Sequence, residues 1–416
     1  TTLLNPQSRK IVFGICLNAI GGGMTLSLLL VYLHDMRGFT NTFGGLLLAY
    51  GSIVSIVTST PMGALVDRVG PKKVMIGGLL VNSAAAFSLS QVETQFQAIL
   101  AITFINAAGQ AIWPSQTVIL TRVTPVADRP KIFGFNFMLL NLGLGMGGLI
   151  SSLIIQEGNL RSFQIMYYVD ASTFLLYLLV VLTLKGENVN RYVPKAHEPK
   201  NGTYRDLFEV KPLMLLGMGG IILFTFGYGT IQAGVPVFAT QFLDLNPKWL
   251  GVIFGVNTLS IVLFQPLVMR ILEKYSRYTA LISIGVIWAV SWIFVGIAPL
   301  LPLFVAGIAI CMSQLVFAFG EMVQAPTIPT LANELAPEHI RGRTNALMSL
   351  QWSVSGVLGP AITGLMLGAD LATPAASEGD PFVPGEMALR IIAVQVARLE
   401  EEIDAMNAHI APLSSF

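Results

Sequence analysis

The sequence predicts an all-α polytopic membrane protein, and three features of its composition and patterning lead to this fold class. Mean hydropathy is +0.70 and only 11% of the residues are charged, whereas soluble domains carry about 25% charged residues. Apolar runs close to the roughly 20 residues that a membrane helix needs recur along the chain, at 11–33, 43–66, 74–92, 97–121, 134–155, 163–184, 212–240, 249–269, 278–299, 303–333 and 345–368. The third feature is the uneven distribution of positive charge between the loops.

Lysine and arginine fall almost entirely on one side of the predicted membrane. Of the 24 such residues, the loops opposite the N-terminus hold only Arg37, Arg161 and Lys248 if each run crosses once. Because positively charged loops remain in the cytoplasm, the sequence predicts a multi-pass protein of the cell membrane with a cytoplasmic N-terminus.

A charged, proline-containing stretch at 185–211 predicts a cytoplasmic linker. It separates an N-terminal six-helix half at 1–184 from a C-terminal half at 212–368 that has five clear spans. The two halves share a pattern, since Pro114, Pro125, Arg129 and Gly147 recur at one constant spacing as Pro326, Pro337, Arg341 and Gly359. This repetition predicts two parallel-related six-helix halves.

Residues 369–416 form an atypical tail in which the expected twelfth span is missing or unusual. The stretch 369–384 is polar and contains proline, and the apolar stretch 387–397 is too short to cross a bilayer. An interfacial helix, a degenerate twelfth span and non-native sequence are the open alternatives.

The loop between the second and third runs predicts a gating contact. It contains Gly63, Asp67, Arg68, Gly70, Lys72 and Lys73. Asp67 lies near a helix end, where it can meet cationic side chains or the N-terminus of another helix. Gly63 removes a side chain where a neighbouring helix could approach closely. A generic positive-inside hairpin is the alternative, but it requires neither the glycine spacing nor the acid.

The pattern Gly-x-x-x-Asp-Arg-x-Gly-x-Lys-Lys resembles the loop between helices two and three of the major facilitator superfamily. The resemblance covers about residues 9–368. It implies a transporter of two six-helix halves that expose a central site to each membrane face in turn.

Within that superfamily the chain is most similar to the drug:proton antiporters, because its fifth span is rich in glycine. Gly143, Gly147 and Gly148 lie in this span, and Gly359 and Pro360 lie in its counterpart. Such residues allow close helix packing, which alone would explain them. The glycine run of the fifth span lacks the proline of the antiporter motif. The antiporters also have an arginine within the fourth helix, and Asn106 stands at the likely position in this chain.

Two carboxylates inside the spans, Asp170 and Glu321, are the candidates for proton coupling, because buried charge is costly and usually functional. Burial in a low dielectric disfavours the charged form of Glu321, so this residue is the favoured proton carrier. A protonated Glu321 that only hydrogen-bonds a neighbouring helix is the alternative. Asp170 lies in the sixth helix, which is peripheral in the superfamily, and is more simply explained by packing.

Amides and aromatic side chains near these positions predict a cavity for an amphipathic ligand. The candidate substrate-binding residues are Asn106, Gln110, Trp113, Phe226, Tyr228, Gln232 and Gln351. Packing and lipid-facing roles are the alternative for most of them.

Together these features predict a secondary active transporter that couples proton entry to efflux of hydrophobic or amphipathic compounds. A lipid or glycolipid flippase is the alternative within transport, and a non-transporting membrane receptor or a membrane-embedded enzyme is the alternative outside it. The sequence has no Walker loop and no His/Cys cluster, so we expect no cofactor and no metal. The predicted partners are a lipophilic small-molecule substrate, protons and the lipid bilayer, with no nucleic acid, and the predicted state is a monomer.

Overall fold

A computed structural model describes residues 6–25, 28–156, 158–186, 202–246 and 248–372. Within these residues the regular structure is helical and no strand occurs, which confirms the predicted all-α fold class. The predicted tail begins within the last helix, and its residues 373–416 lie outside the described part of the chain.

Long helices follow one another along the described chain. They are α1 (Pro6–Thr25), α2 (Asn41–Val69), α3 (Pro71–Ser90), α4 (Gln95–Val123), α5 (Arg129–Ile154), α6 (Leu160–Leu182), α7 (Lys211–Phe242), α8 (Lys248–Leu272), α9 (Arg277–Ile297), α10 (Leu303–Leu335) and α11 (Arg341–Ala372). A short segment, Leu29–Met36, follows α1, and a short helix, Tyr204–Glu209, precedes α7.

Nine helices of the described chain are long and apolar enough to cross a membrane, and α1 makes a tenth when it is joined to the bent segment Leu29–Met36. The eleventh predicted span, α11, is 32 residues long but does not qualify by composition. Its first half carries buried polar side chains, among them Arg343, Asn345 and Gln351. These side chains bind neighbouring helices, so the polarity of α11 is directed into the protein.

The turn between α2 and α3 depends on Gly70 and Pro71. Gly70 has φ +103°, a value that side chains disfavour and glycine tolerates. Its N–H donates to the Val66 carbonyl at 3.0 Å and closes α2. Pro71 occupies the first position of α3, where its fixed φ suits a helix start. Two long helices therefore reverse direction at a single residue.

The chain forms two compact units. The described residues up to Gly217 and those of Ile328–Ser353 form the first, and the described residues of Met218–Thr327 and from Val354 to 372 form the second. In the first unit, α1 packs on α5 and α6, α3 packs on α4 and α6, and α2 packs on α4. Apolar side chains such as Ile11, Leu79 and Tyr177 fill one of its cores. The division into halves at 185–211 remains a prediction from the sequence.

The repeated residues adopt the same local conformations. Pro125 (φ −54°, ψ 146°) precedes a single 3₁₀ turn and the start of α5, and Pro337 (φ −52°, ψ 146°) does the same before α11. Gly147 of α5 packs against Gly23 of α1 in the first unit. Its counterpart Gly359 packs against Gly229 of α7 in the second unit. The structure thus agrees with the internal repeat at the level of individual turns and helix contacts.

Candidate functional site

A buried ion pair lies at the end of α2, in the first unit. Asp67 Oδ2 accepts a hydrogen bond from Arg343 Nη1 at 2.7 Å, and the two side chains are 5% and 2% exposed. The carboxylate also accepts bonds from the backbone N–H groups of Gly342, at 2.6 Å, and Arg343, at 3.1 Å. These amides belong to the first turn of α11. Asp67 therefore binds a cation and a helix N-terminus at once, two groups that both favour a negative charge.

Close approach of α2 and α11 depends on two facing glycines. A methyl group on Gly63 would lie 2.5 Å from the Ala346 Cβ, and one on Gly342 would lie 2.5 Å from Asp67 Oδ1. Neither distance is sterically allowed. One turn before Gly63, the buried Ser59 hydroxyl donates to the Ala346 carbonyl at 2.8 Å. A short side chain of α2 therefore reaches the backbone of α11 directly.

The short helix Tyr204–Glu209 covers this ion pair. The Arg343 guanidinium lies over the Tyr204 ring, 5.4 Å from its centroid, and the Tyr204 hydroxyl donates to the Thr60 carbonyl of α2. Burial of this hydroxyl raises the pKa of Tyr204 to about 12, although the nearby Arg343 opposes the shift. Tyr204 thus bridges α2 and α11. We call Gly63, Asp67, Tyr204, Gly342 and Arg343 the Asp67 cluster.

A second contact fastens the short helix to the turn before α11. Asp206 Oδ2 lies 3.8 Å from His339 Nε2. The backbone N–H and hydroxyl of Thr203 bind Asp206 and hold the pKa of this exposed carboxyl below its usual value. Asp206 is therefore ionised at neutral pH and can pair with His339 when that residue is protonated.

The other residues predicted for gating lie outside the cluster. Lys72 Nζ donates to the Leu184 carbonyl at 2.7 Å, beyond the end of α6. Arg68 and Lys73 are exposed, while Gly70 forms the turn. Within the predicted loop motif, only Gly63 and Asp67 thus contact α11.

Glu321 is 5% exposed within α10, in the second unit. Its Oε2 atom accepts a hydrogen bond from the Asn257 amide of α8 at 2.5 Å, and Tyr228 of α7 flanks the same carboxyl group. Both neighbours are neutral. A carboxyl group in this setting can hold or release a proton without a fixed countercharge, which is the property that proton coupling requires.

Asp170 is 7% exposed and lies between α6 and α1. Its Oδ2 atom accepts a hydrogen bond from the Thr25 hydroxyl at 3.2 Å. A methyl group on Gly21 would lie 2.5 Å from its Oδ1 atom. These tight contacts within one helix pair are those of a packing residue.

The polar substrate candidates of α4 bind other helices. The half-buried Asn106 accepts a hydrogen bond from Ser55 of α2 at 3.0 Å. The buried Gln110 accepts one from Ser349 of α11 at 3.0 Å. Trp113, one turn further on, is 46% exposed. Asn106 and Gln110 thus lie at helix interfaces of the first unit. An incoming ligand could replace the hydrogen bond between helices that each side-chain oxygen accepts there.

The remaining substrate candidates have different environments. Tyr228 belongs to a packed aromatic cluster with Phe224, Trp288 and Phe317, and Phe226 is half-buried nearby in α7. The Gln351 amide donates to the Leu216 and Gly217 carbonyls at 2.9 and 3.0 Å, so it fastens α11 to α7. Gln232 is helical, but its side chain lies outside the described residues.

The glycines of the two glycine-rich spans have different surroundings. Gly143 and Gly147 contact α1, and Gly359 contacts α7. A methyl group on Gly148 would meet nothing within 4 Å, and Pro360 is exposed. The close helix approaches of these spans thus lie at Gly143, Gly147 and Gly359.

Sequence reasoning missed three residues that complete these sites. Arg343 was visible only as the repeat counterpart of Lys131, and Asn257 is one amide in an apolar run. Tyr204 lies in a stretch that composition assigns to a linker. No local pattern marks any of them as a partner of Asp67 or Glu321.

Comparison with known proteins agrees with this fold. The model of the Major Facilitator Superfamily matches residues 11–367, so the chain belongs to this superfamily of membrane transporters. An uncharacterised transporter of this type from Bacillus subtilis, YttB, is 24% identical over 87% of this chain and 89% of its own. The quinolone resistance protein NorA of Staphylococcus aureus is 22% identical over 89% of this chain and 92% of its own.

Two solved structures share the fold. The human organic anion transporter MFSD10 matches with a TM-score of 0.73 at 13% identity, over 95% of this chain and 100% of its own. A bacterial homologue of the iron transporter ferroportin, in an outward-facing state, matches with a TM-score of 0.78 at 10% identity, over 96% and 100%. The predicted family and fold class are therefore confirmed.

Proposed function

We propose that this transporter exports lipophilic or amphipathic compounds by alternating access and that proton entry drives the export. It acts as a monomer in the cell membrane, with its N-terminus in the cytoplasm. Transport itself follows from the family, whereas the direction, the cargo and the coupling ion are parts of the proposal.

The observation that carries the proposal is the environment of Glu321. A carboxyl group 5% exposed, with the neutral neighbours Asn257 and Tyr228, can change charge without breaking an ion pair. The aromatic rings of Trp288 and Phe317 pack against Tyr228, so the surroundings of this neighbour of Glu321 are apolar. A proton taken up at one membrane face can thus be carried and released at the other as access alternates.

The Asp67 cluster supplies the gate in this proposal. It joins α2 to the first turn of α11 through an ion pair and two hydrogen bonds from backbone N–H groups, and Tyr204 covers this ion pair. Access from the cytoplasm requires these bonds to break, and the buried charges make the broken state costly. Binding of substrate or proton must offset that cost, which is how a gate becomes coupled to its ligands.

Two observations support a lipophilic cargo: the name of one relative and the hydrogen bonding of the polar side chains within the helices. NorA is named for resistance to quinolones, and this chain covers nearly all of its length. The half-buried Asn106 and the buried Gln110 and Gln351 are each engaged in helix contacts, which suits an apolar cargo better than a sugar that needs many hydrogen bonds.

Flux in proteoliposomes tests the proposal. The purified chain is reconstituted and offered a panel of lipophilic dyes, fluoroquinolones and fluorescent phospholipids, with and without an imposed proton gradient. We expect uphill movement of dyes or quinolones that stops when the gradient is collapsed. Phospholipid movement alone would instead favour a flippase, and binding without flux would favour a receptor.

The Glu321→Gln variant tests the coupling residue. It keeps the size and polarity of the side chain but removes its titration. We expect binding and downhill exchange to persist while uphill accumulation is lost. Glu93→Gln, a substitution of the same type in a loop, serves as the matched control and should transport normally. Uphill transport by Glu321→Gln at the wild-type rate would rule out this carrier.

A further inference from the structure

A groove runs along the outer surface of the first unit between the first turns of α1 and the last turn of α6. Its lining residues are Arg9, Lys10, Phe13, Leu179, Val180 and Thr183, and its volume is about 530 Å³. One end of the groove is cationic and the rest is apolar. None of the lining residues is acidic.

The apolar part of the groove is formed by Phe13, Leu179 and Val180, of which Val180 also packs against the core of the first unit. Phe13 is 60% exposed and Leu179 is 59% exposed. They lie on adjacent helices, so their exposed faces form a continuous surface with Val180. A single lipid-facing phenylalanine would mark no site. Here the apolar surface leads directly to two neighbouring cations.

The cationic end of the groove lies where α1 begins and α6 ends. Lys10 Nζ donates to the Thr183 carbonyl at 3.5 Å, which holds this ammonium group over the end of α6. Lys72 binds the Leu184 carbonyl beyond the same helix end and adds a further positive charge there. Arg9 is exposed beside Lys10 at the edge of the groove. Its guanidinium group can bind two phosphate oxygens together.

We propose that this groove binds an anionic phospholipid of the cytoplasmic leaflet. The headgroup phosphate binds Arg9 and Lys10, and one acyl chain lies along Phe13 and Leu179. Basic pockets beside membrane helices on the cytoplasmic side favour such headgroups. Free phosphate would use only the cationic end, whereas the adjoining apolar surface accounts for an acyl chain. The bound lipid bridges α1 and α6.

Native mass spectrometry of the full-length protein in mild detergent tests this site. The protein is incubated with phosphatidylglycerol or with phosphatidylcholine of the same acyl chains. We expect retention of phosphatidylglycerol in preference to phosphatidylcholine. The Arg9→Gln/Lys10→Gln variant should lower the retained phosphatidylglycerol by about tenfold or more, since each cation near the headgroup contributes to binding.

A matched control removes two exposed cations elsewhere. Arg270 and Lys274 lie at the end of α8 and outside the groove. The Arg270→Gln/Lys274→Gln variant should retain phosphatidylglycerol as the wild type does. Phe13→Ser should also lower retention, and an excess of inorganic phosphate should not displace the lipid. Equal loss in the two cation variants, equal retention of both lipids, or displacement by phosphate would overturn the proposal.

Discussion

Asp67 and Arg343 form an ion pair with a 2.7 Å bond, and both side chains are almost wholly buried. The same carboxylate binds the first-turn amides of α11. One side chain thus satisfies a cation and a helix end together. Removing its charge leaves the buried Arg343 without its counterion, so a change of this one side chain should weaken the contact between α2 and α11.

Asp67→Asn should weaken the junction of α2 and α11 while leaving the helices intact. The amide keeps the shape of the side chain, but Arg343 becomes a buried charge without its counterion, a loss that typically costs about 3–5 kcal/mol. We expect a second, longer separation to appear between spin labels at Val69 and Trp352, two exposed positions on these helices. Double electron–electron resonance measures this change.

The adjacent Arg68 provides the control for Asp67. It is exposed on the same turn of α2, so Arg68→Gln changes the charge of the loop without entering the cluster. Its distance distribution should match that of the wild type. If Asp67→Asn also matches the wild type, Asp67 contributes to topology and not to gating.

A Gly63→Ala substitution should weaken the same junction by steric means alone. The added methyl group would lie 2.5 Å from the Ala346 Cβ, and overpacking of this kind typically costs about 1–3 kcal/mol. We expect a lower thermal transition and a longer Val69–Trp352 separation. A methyl group on Gly45, also in α2, would meet nothing within 4 Å. Gly45→Ala should therefore be neutral or slightly stabilising, and equal effects of the two variants would contradict the close approach.

Ionisation of Tyr204 should destabilise the contact between α2 and α11 at alkaline pH. Its ordinary pKa of 10.0 is raised to about 12 by burial of the hydroxyl group. Stability from the protonated hydroxyl is therefore complete below pH 10 and is lost as the pH rises towards about 12. Thermal stability should fall across this interval more steeply in the wild type than in Tyr204→Phe. That variant keeps the ring over Arg343 but loses the bond to Thr60.

Absorbance titration separates Tyr204 from the other groups that titrate at high pH. The difference between wild type and Tyr204→Phe should show one tyrosine ionising near pH 12. Tyr275→Phe removes an exposed tyrosine and should leave the stability profile unchanged. If the thermal stability of Tyr204→Phe depends on pH as that of the wild type does, this hydroxyl does not stabilise the contact between α2 and α11.

Local rules made much of this molecule predictable. Hydropathy predicts the helices, and Gly70 in the charged loop is typical of a turn such as that between α2 and α3. The charge of Asp67 near a helix end indicates the kinds of group that bind it. Glu321 stood out because an acid in an apolar run needs a reason. The internal repeat anticipated the matching turns at Pro125 and Pro337.

Partners across the fold were not predictable in the same way. Which cation meets Asp67 depends on the packing of α2 against α11, and which amide meets Glu321 depends on the packing of α8 against α10. Gln351 resembled a cavity residue because it is an amide in an apolar run. Its actual partners are two backbone carbonyls, and no local pattern distinguishes these two uses of an amide.

Asn257 should be required for proton coupling because it donates to Glu321. Asn257→Leu keeps a similar volume but removes the donor, so a charged Glu321 would be buried with less compensation. We expect proton-driven accumulation to fall several-fold while downhill exchange persists. Gln265→Leu is the matched control, since Gln265 also joins α8 to α10, through the Met322 carbonyl at 3.1 Å.

Loss of the Gln265 bond should lower stability by about 1–3 kcal/mol and leave the ratio of uphill to downhill transport unchanged. Adding Asn257→Leu to Glu321→Gln should cause no further loss of coupling. The Glu321→Gln variant has already lost the proton site that Asn257 supports, so the two effects should not add. Proteoliposome flux and thermal unfolding of the four variants separate these effects. If Asn257→Leu and Gln265→Leu lower transport and stability alike, Asn257 merely packs α8 against α10, and Glu321→Gln alone decides whether Glu321 carries the proton.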